Sequence, residues 1–138
     1  MAITGGCLCG AVRYSIDSDK PKVVRTCWCR LCQKVGAGSA TVNAVFDKSA
    51  FSSEGELTEY ACTADSGNTM RRYFCPKCGV HVCTFSDQRP GMVSVRAGTL
   101  DDREIAAPQN TIWTSEAPSW ALISEKIPRS ETQPDLGK

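Results

Sequence analysis

The 138-residue sequence has no run of about 20 apolar residues, the length an α-helix needs to cross a bilayer, so nothing in it reads as a membrane-spanning helix. It also lacks a surplus of either charge. Sixteen Lys and Arg against fifteen Asp and Glu leave a net charge of +1, which excludes a broad electropositive face for nucleic acid or anionic membrane; any anion site must be local. The opening "MAITGGCLCGAV" has no basic segment leading into an apolar core, so no secretory signal is expected and a cytoplasmic location is. Histidine occurs once, at His81, and a solitary histidine beside a strand reads as a structural group before it reads as a ligand. No window carries helical periodicity long enough for a core helix. The best candidate is a turn or two over Leu31 to Lys34.

What is present instead is alternation. "AVRYSI", "ATVNAVF", "LTEYACT", "RRYFC", "HVCTFS" and "MVSVRAG" alternate apolar with polar residues, and Gly, Ser, Asp and Pro fill the gaps. This predicts an all-β domain, and a chain of this length holds one core. The segment "PRSETQPDLGK" is polar and patternless, so a single domain over residues 1–127 followed by a flexible tail over residues 128–138 is expected.

Nine cysteines dominate the composition. In a reducing compartment such a chain is better explained by metal than by disulfides. Seven fall in compact groups: Cys7 with Cys9, Cys27 with Cys29 and Cys32, and Cys75 with Cys78. Thiols one or two residues apart do not readily bridge each other, yet a tight turn can aim both at one ion. Seven divides as four plus three. Cys7, Cys9, Cys75 and Cys78 would close a structural zinc site that staples the first strand to the middle of the domain. Cys27, Cys29 and Cys32 would leave one coordination position open, as catalytic zinc sites do. A fourth donor from His81, Cys62 or Cys83 would instead make the second site structural. For Cys62 and Cys83, strand-like alternation favours the plainer role of small apolar side chains.

The motifs "GGCLCGAVRY", "TCWCRLC", "FCPKCG", "GTLDD" and "IWTSEAPSW", in that order from about Gly5 to Ile123, resemble the glutathione-dependent formaldehyde-activating enzyme family, which includes centromere protein V relatives. The resemblance implies an Mss4-like fold of twisted antiparallel sheets stapled by zinc. It also implies two zinc ions: a structural one on Cys7, Cys9, Cys75 and Cys78, and a labile catalytic one on Cys27, Cys29 and Cys32. Many relatives have His where this chain has Trp28, so an imidazole beside the middle metal is absent here. Trp28 is expected to shield the ion, stack on a ligand, or anchor the loop.

Three thiolates overcompensate a divalent ion, which blunts its pull on a carbonyl and makes binding of an external thiol the more natural task. The implied activity is that of a carbon–sulfur lyase acting on small thiol adducts, with a bound thiolate adding reversibly to a carbonyl. Glutathione with an aldehyde such as formaldehyde is the implied substrate pair. A zinc-stabilised protein-binding module is the alternative. Arg30, between two of the thiols, is the preferred substrate contact, with Trp28 beside it; Arg25, Lys34, Arg71 and Arg72 are other local cations. Asp101 and Asp102 read as an acidic turn before they read as acid or base. Trp113 and Trp120 read as packing of the terminal segment.

Overall fold

The computed structural model describes residues 2–64 and 67–134. It is built almost entirely of strands: β1 (Ala2–Gly6), β2 (Arg13–Asp17), β3 (Val23–Cys27), β4 (Thr41–Asp47), β5 (Phe51–Glu54), β6 (Thr58–Thr63), β7 (Thr69–Phe74), β8 (His81–Ser86), β9 (Arg89–Arg96) and β10 (Asn110–Ile112). One helix, α1 (Arg30–Val35), and a few 3₁₀ turns complete it. The expected all-β class is met, and the helix falls where Leu31 to Lys34 suggested. No helix among the described residues is long and apolar enough to cross a membrane.

Two sheets form, a three-stranded one in the order β1-β2-β5 and a seven-stranded one in the order β10-β3-β4-β9-β8-β7-β6. The alternation decides which side of each strand is buried. In the large sheet Ala44 stands opposite Val95 and Phe46 opposite Val93, and all four are at most 1% exposed. The small sheet answers with Tyr14 and Ile16, and Val12 just ahead of β2 joins them. An aromatic chain joins the two, from Tyr14 to Phe51 (ring centroids 5.5 Å apart), Phe85 (6.4 Å) and Tyr73 (5.5 Å). The Tyr14 hydroxyl pairs with Thr99 Oγ1 at 2.7 Å. Gly5 makes that approach possible, because a Cβ there would sit 2.3 Å from the Tyr14 oxygen and 2.4 Å from the Thr99 carbonyl oxygen.

The opposite face of the large sheet is polar. Register places Asn110, Arg25, Asn43 and Arg96 in one row across β10, β3, β4 and β9. One step along the strands, Cys27 stands opposite Thr41 on the same face. One step the other way, Val45, Ser94, Thr84 and Arg72 form a further row.

Two features differ from the sequence expectation. The sheets are not purely antiparallel, since β10 pairs with β3 in parallel. The chain reaches β10 only after a long crossing from β9 and so enters in the same direction as β3. Residues 128–131 are also not a free tail. Thr111 N–H donates to the Pro128 carbonyl at 2.9 Å, Ser130 N–H to Thr111 at 2.8 Å, Thr114 N–H to Ser130 at 3.1 Å and Ser115 N–H to Glu131 at 3.1 Å. A parallel bridge pairs Thr111 with Arg129. A buried strand such as β10 must satisfy its outer N–H and C=O groups, and a segment needs no apolar pattern to do so through its backbone. Trp113 continues the pairing, its N–H donating to the Thr132 carbonyl at 3.5 Å and its Nε1 to Gln133 Oε1 at 2.9 Å, and residues 135–138 of the expected tail lie outside the described residues. Ending the chain after Ile127 is expected to cost about 2–4 kcal/mol, at about 1 kcal/mol for each lost bond, visible as a lower urea midpoint.

Candidate metal centres and the sheet face beside them

The four-cysteine group forms where two turns meet. Cys7 follows β1, and its N–H donates to the Val12 carbonyl at 3.1 Å while Val12 N–H donates back to Cys7 Sγ at 3.3 Å. Cys75 follows β7 in a matching turn: its N–H donates to Val80 at 3.0 Å, Gly79 N–H to the Cys75 carbonyl at 2.8 Å, and Lys77 N–H to Cys75 Sγ at 3.4 Å. Gly79 has φ +76°, a left-handed conformation that glycine adopts without strain. The four sulfurs of Cys7, Cys9, Cys75 and Cys78 all lie within 4.8 Å of one another. Two spacings are resolved more finely, Cys7 to Cys9 at 3.7 Å and Cys9 to Cys75 at 3.8 Å. A tetrahedral ion bound at about 2.3 Å to sulfur requires sulfur–sulfur edges of about 3.8 Å, so the donor set is spaced for such an ion. The thiols of this group are tuned in opposite directions: despite the Ala11 N–H, burial and the contacts with Cys7, Cys75 and Cys78 push Cys9 up to about 11. Backbone N–H groups of Val80 and Cys9 pull the Cys78 thiol down to about 6. Burial pushes Cys7 up, but the Val12 N–H and the neighbouring thiols outweigh it and the net direction is down.

The second group is built by one loop. Cys27 ends β3, Cys29 caps α1 and Cys32 lies inside it, and their sulfurs also lie within 4.8 Å of one another. Cys32 N–H donates to Cys29 Sγ at 3.3 Å. Buried Gln33 fastens the loop from behind, its Nε2 donating to the Trp28 carbonyl at 2.7 Å and to the Glu116 carbonyl at 2.9 Å. Ile112 clusters with Cys27 and Cys32, and Cys29 and Trp113 pack against that apolar cluster. Cys32 is the favoured thiolate, because hydrogen bonds from Cys27 and Cys29 hold its pKa well down and Thr41 and the Arg96 charge add to the effect. Cys27 is pushed up by the same contacts with Cys29 and Cys32.

Neither group includes His81, Cys62 or Cys83 among the described residues. His81 stacks on Phe74 (centroids 5.3 Å, 26°), and burial with the Arg96 and Arg72 charges keeps its pKa low. Cys83 is core, and burial raises its thiol to about 12. Cys62 accepts from Arg72 Nη1 at 2.9 Å.

The remaining candidates sort by what they touch. Trp28 is 4% exposed, donates its backbone N–H to Ile112 at 3.1 Å and walls a cavity of about 360 Å³ with Ile123 and Ile127. Arg30 is exposed; its N–H donates to Glu116 Oε2 at 2.6 Å and its Nη1 to Gln33 Oε1 at 3.1 Å. Arg71 is tied to Glu59 and Asp87. Asp101 accepts from Thr4 Oγ1 at 2.6 Å and from Arg13 Nη1 at 3.1 Å, and Asp102 accepts from Glu104 N–H at 3.1 Å. Trp120 is exposed. Arg13 first, then Thr4, hold the Asp101 carboxyl at about 2, below its ordinary 3.8. A depressed carboxyl stabilises the fold above its unfolded pKa and loses that contribution as pH falls through the folded one. Asp101→Asn is therefore expected to show a small Tm deficit at pH 7 that closes between about pH 4 and pH 2 in a pH series of thermal melts.

Arg96, Asn43 and Thr41 were not singled out from the sequence, yet the fold brings them to the three thiols. Arg96 Nη1 donates to Asn43 Oδ1 at 2.6 Å, Asn43 Nδ2 donates to Thr41 Oγ1 at 3.0 Å, and Thr41 and the Arg96 charge both favour the Cys32 thiolate. In "MVSVRAG" the Arg occupies an ordinary polar phase of a strand; only the register opposite β4 reveals its place.

Comparison with known proteins places these features in a family. The family model for the glutathione-dependent formaldehyde-activating enzyme matches residues 2–116. A curated protein of Halomonas elongata, named "Putative glutathione-dependent formaldehyde-activating enzyme", is 28% identical over 131 residues, covering 91% of this chain and 83% of its own. A crystal structure of a Rhodobacter sphaeroides protein shares the fold with a TM-score of 0.60 at 22% identity, over 76% of this chain and 96% of that one.

Proposed function

The chain belongs to the glutathione-dependent formaldehyde-activating enzyme family, and from that premise we propose that it is a zinc-dependent carbon–sulfur lyase of small thiol adducts, glutathione and formaldehyde being the pair the family name implies. The observation that carries the reading is the unequal pair of cysteine groups, four sulfurs in one and three in the other. We read the fold as Mss4-like, with the first group as its zinc staple, and the second as an open site. Soft thiolate donors suit zinc.

The reaction is an addition without redox change. The thiol sulfur bonds to the carbonyl carbon and the thiol proton ends on the carbonyl oxygen; the reverse step breaks the same carbon–sulfur bond. A bound zinc ion would lower the pKa of the incoming thiol and fix it near the carbonyl. The chain's own residues hold the cysteines in place: Gln33 fixes the loop, Cys29 caps the helix, and Ile112 with Trp113 pack beside them. Of the three thiols, Cys32 is the one whose pKa its neighbours Cys27 and Cys29 pull down. Exposed Arg30 stands at the loop as a contact for the substrate, and Trp28 is assigned to the wall behind it.

Two measurements test this together. Metal analysis of protein purified without added zinc should find two zinc ions per chain, one of them easily removed. Exchange spectroscopy on glutathione and formaldehyde should then show catalysed interconversion above the spontaneous rate, lost with the labile ion. One tight zinc and no acceleration would instead mark a binding module.

A further inference from the structure

Addition of a thiol to a carbonyl moves one proton from sulfur to oxygen, a transfer that a positioned side chain accelerates. The one histidine, His81, belongs to neither cysteine group and stacks on Phe74. A carboxylate does reach the three-cysteine loop. Glu116 Oε2 accepts from Arg30 N–H at 2.6 Å and the Glu116 carbonyl accepts from Gln33 Nε2 at 2.9 Å, so residue 116 is fastened twice to the helix that carries Cys32. In the same first turn Cys29 Sγ accepts from Cys32 N–H at 3.3 Å. Arg30 N is one peptide bond from Cys29, so bond lengths alone keep the carboxylate within about 8 Å of Cys29 Sγ. That span admits a small substrate, or one bridging water.

The second carboxylate oxygen is unused. Glu116 is half-buried, and Oε1, which accepts no hydrogen bond among the described residues, stays in contact with solvent. No cation neutralises it either. The charged groups on the elements around it are Arg30 and Lys34 of α1 and, on the segment paired with residues 111–115, Arg129 and Glu131; none of these forms an ion pair with Glu116, and Arg30 Nη1 is taken by Gln33. The backbone that presents Glu116 is strained. Trp113 has φ +59° and ψ +36°, a left-handed conformation unfavourable for a bulky side chain, and it turns the chain from β10 into the 3₁₀ turn Thr114–Glu116. Such outliers persist where the surroundings hold them, and they cluster at functional sites. Here Thr114 N–H and Ser115 N–H, donating to Ser130 and Glu131, supply the hold.

Building on the proposed thiol chemistry, we infer that Glu116 is the proton carrier of the reaction. Its carboxylate takes the proton of the incoming thiol as the carbon–sulfur bond forms. The carbonyl π pair moves onto oxygen, the same proton passes to that oxygen, and the carboxylate ends as it began. Cleavage of the adduct runs these transfers backwards.

Glu116→Gln tests this, because the amide oxygen can still accept from Arg30 N–H and keep the loop fastened. With zinc content and thermal melt unchanged, the catalysed part of glutathione–formaldehyde exchange should fall at least about 100-fold. Glu116→Ala should recover part of its rate when formate or acetate is added, and the recovered rate should vary with the pKa of the added acid, which a purely structural fastening does not produce. Full exchange in Glu116→Gln would overturn the inference. Loss of the labile zinc together with the rate would also overturn it, leaving Glu116 a positioning residue, as would rescue indifferent to the acid's pKa. Should the variants not fold, the unmodified protein decides: its catalysed exchange must be slower in deuterium oxide, and equal rates would sink the assignment. No exchange above the spontaneous rate in the unmodified protein would instead bring down the lyase reading itself, and the proton carrier with it.

Discussion

Cys75→Ser is expected to leave the protein largely unfolded at 25 °C, with far-UV circular dichroism lost and no cooperative melt. Cys75 is 0% exposed and its turn joins the end of β7 to the group shared with Cys7 and Cys9. Structural zinc contributes about 10–16 kcal/mol to the folding of small zinc peptides, while a whole domain is stable by only about 5–15 kcal/mol. Weakening the site therefore removes an amount comparable with the total. A strong chelator should produce the same collapse in the unmodified protein. A Cys75→Ser protein that melts cooperatively near the original temperature with its zinc intact would refute the structural assignment of this group.

Cys29→Ser should behave in the opposite way, keeping the fold and losing turnover to the spontaneous rate. The geometry explains the difference. Cys29 is half-buried and caps α1, accepting from Cys32 N–H at 3.3 Å. Serine is among the best residues for that capping position, so the helix and the Gln33 fastening should survive. What serine does not replace is a soft thiolate donor in a group of three. Exchange spectroscopy on glutathione and formaldehyde would read the lost activity, and a thermal melt the retained fold. If the variant unfolded as thoroughly as Cys75→Ser, the open site would be structural and the catalytic role withdrawn.

How far the sequence could be read depended on whether the information lay along the chain or across it. Strands β4, β8 and β9 were legible because alternation over six or more residues is a local signal. Strand β10 was not, since three residues carry no period; it exists because β3 and residues 128–131 pair with its two edges. The exposed edge strand β5 has too few apolar residues to mark a face. Cysteine spacing foretold the two groups because ligands in one turn must be neighbours in sequence, and both groups form in space. Gln33 and Arg96 were invisible for the converse reason. A buried glutamine looks like a helix surface residue until Glu116 arrives from 83 positions away, and Arg96 acquires its setting only from Asn43, 53 positions earlier. Arg30 drew attention by adjacency alone, whereas in the fold its side chain is engaged by Gln33.

The backbone pairing of residues 128–131 onto 111–115 has a consequence for biosynthesis. Ile112 clusters with Cys27 and Cys32, Trp113 packs against that cluster, and the segment that braces β10 leaves the ribosome about a hundred residues after Cys27. At about 5–20 residues per second, that delay is on the order of 5–20 s. For the later part of that interval the three-cysteine loop stands outside the ribosome before the strand that flanks it has its own outer brace.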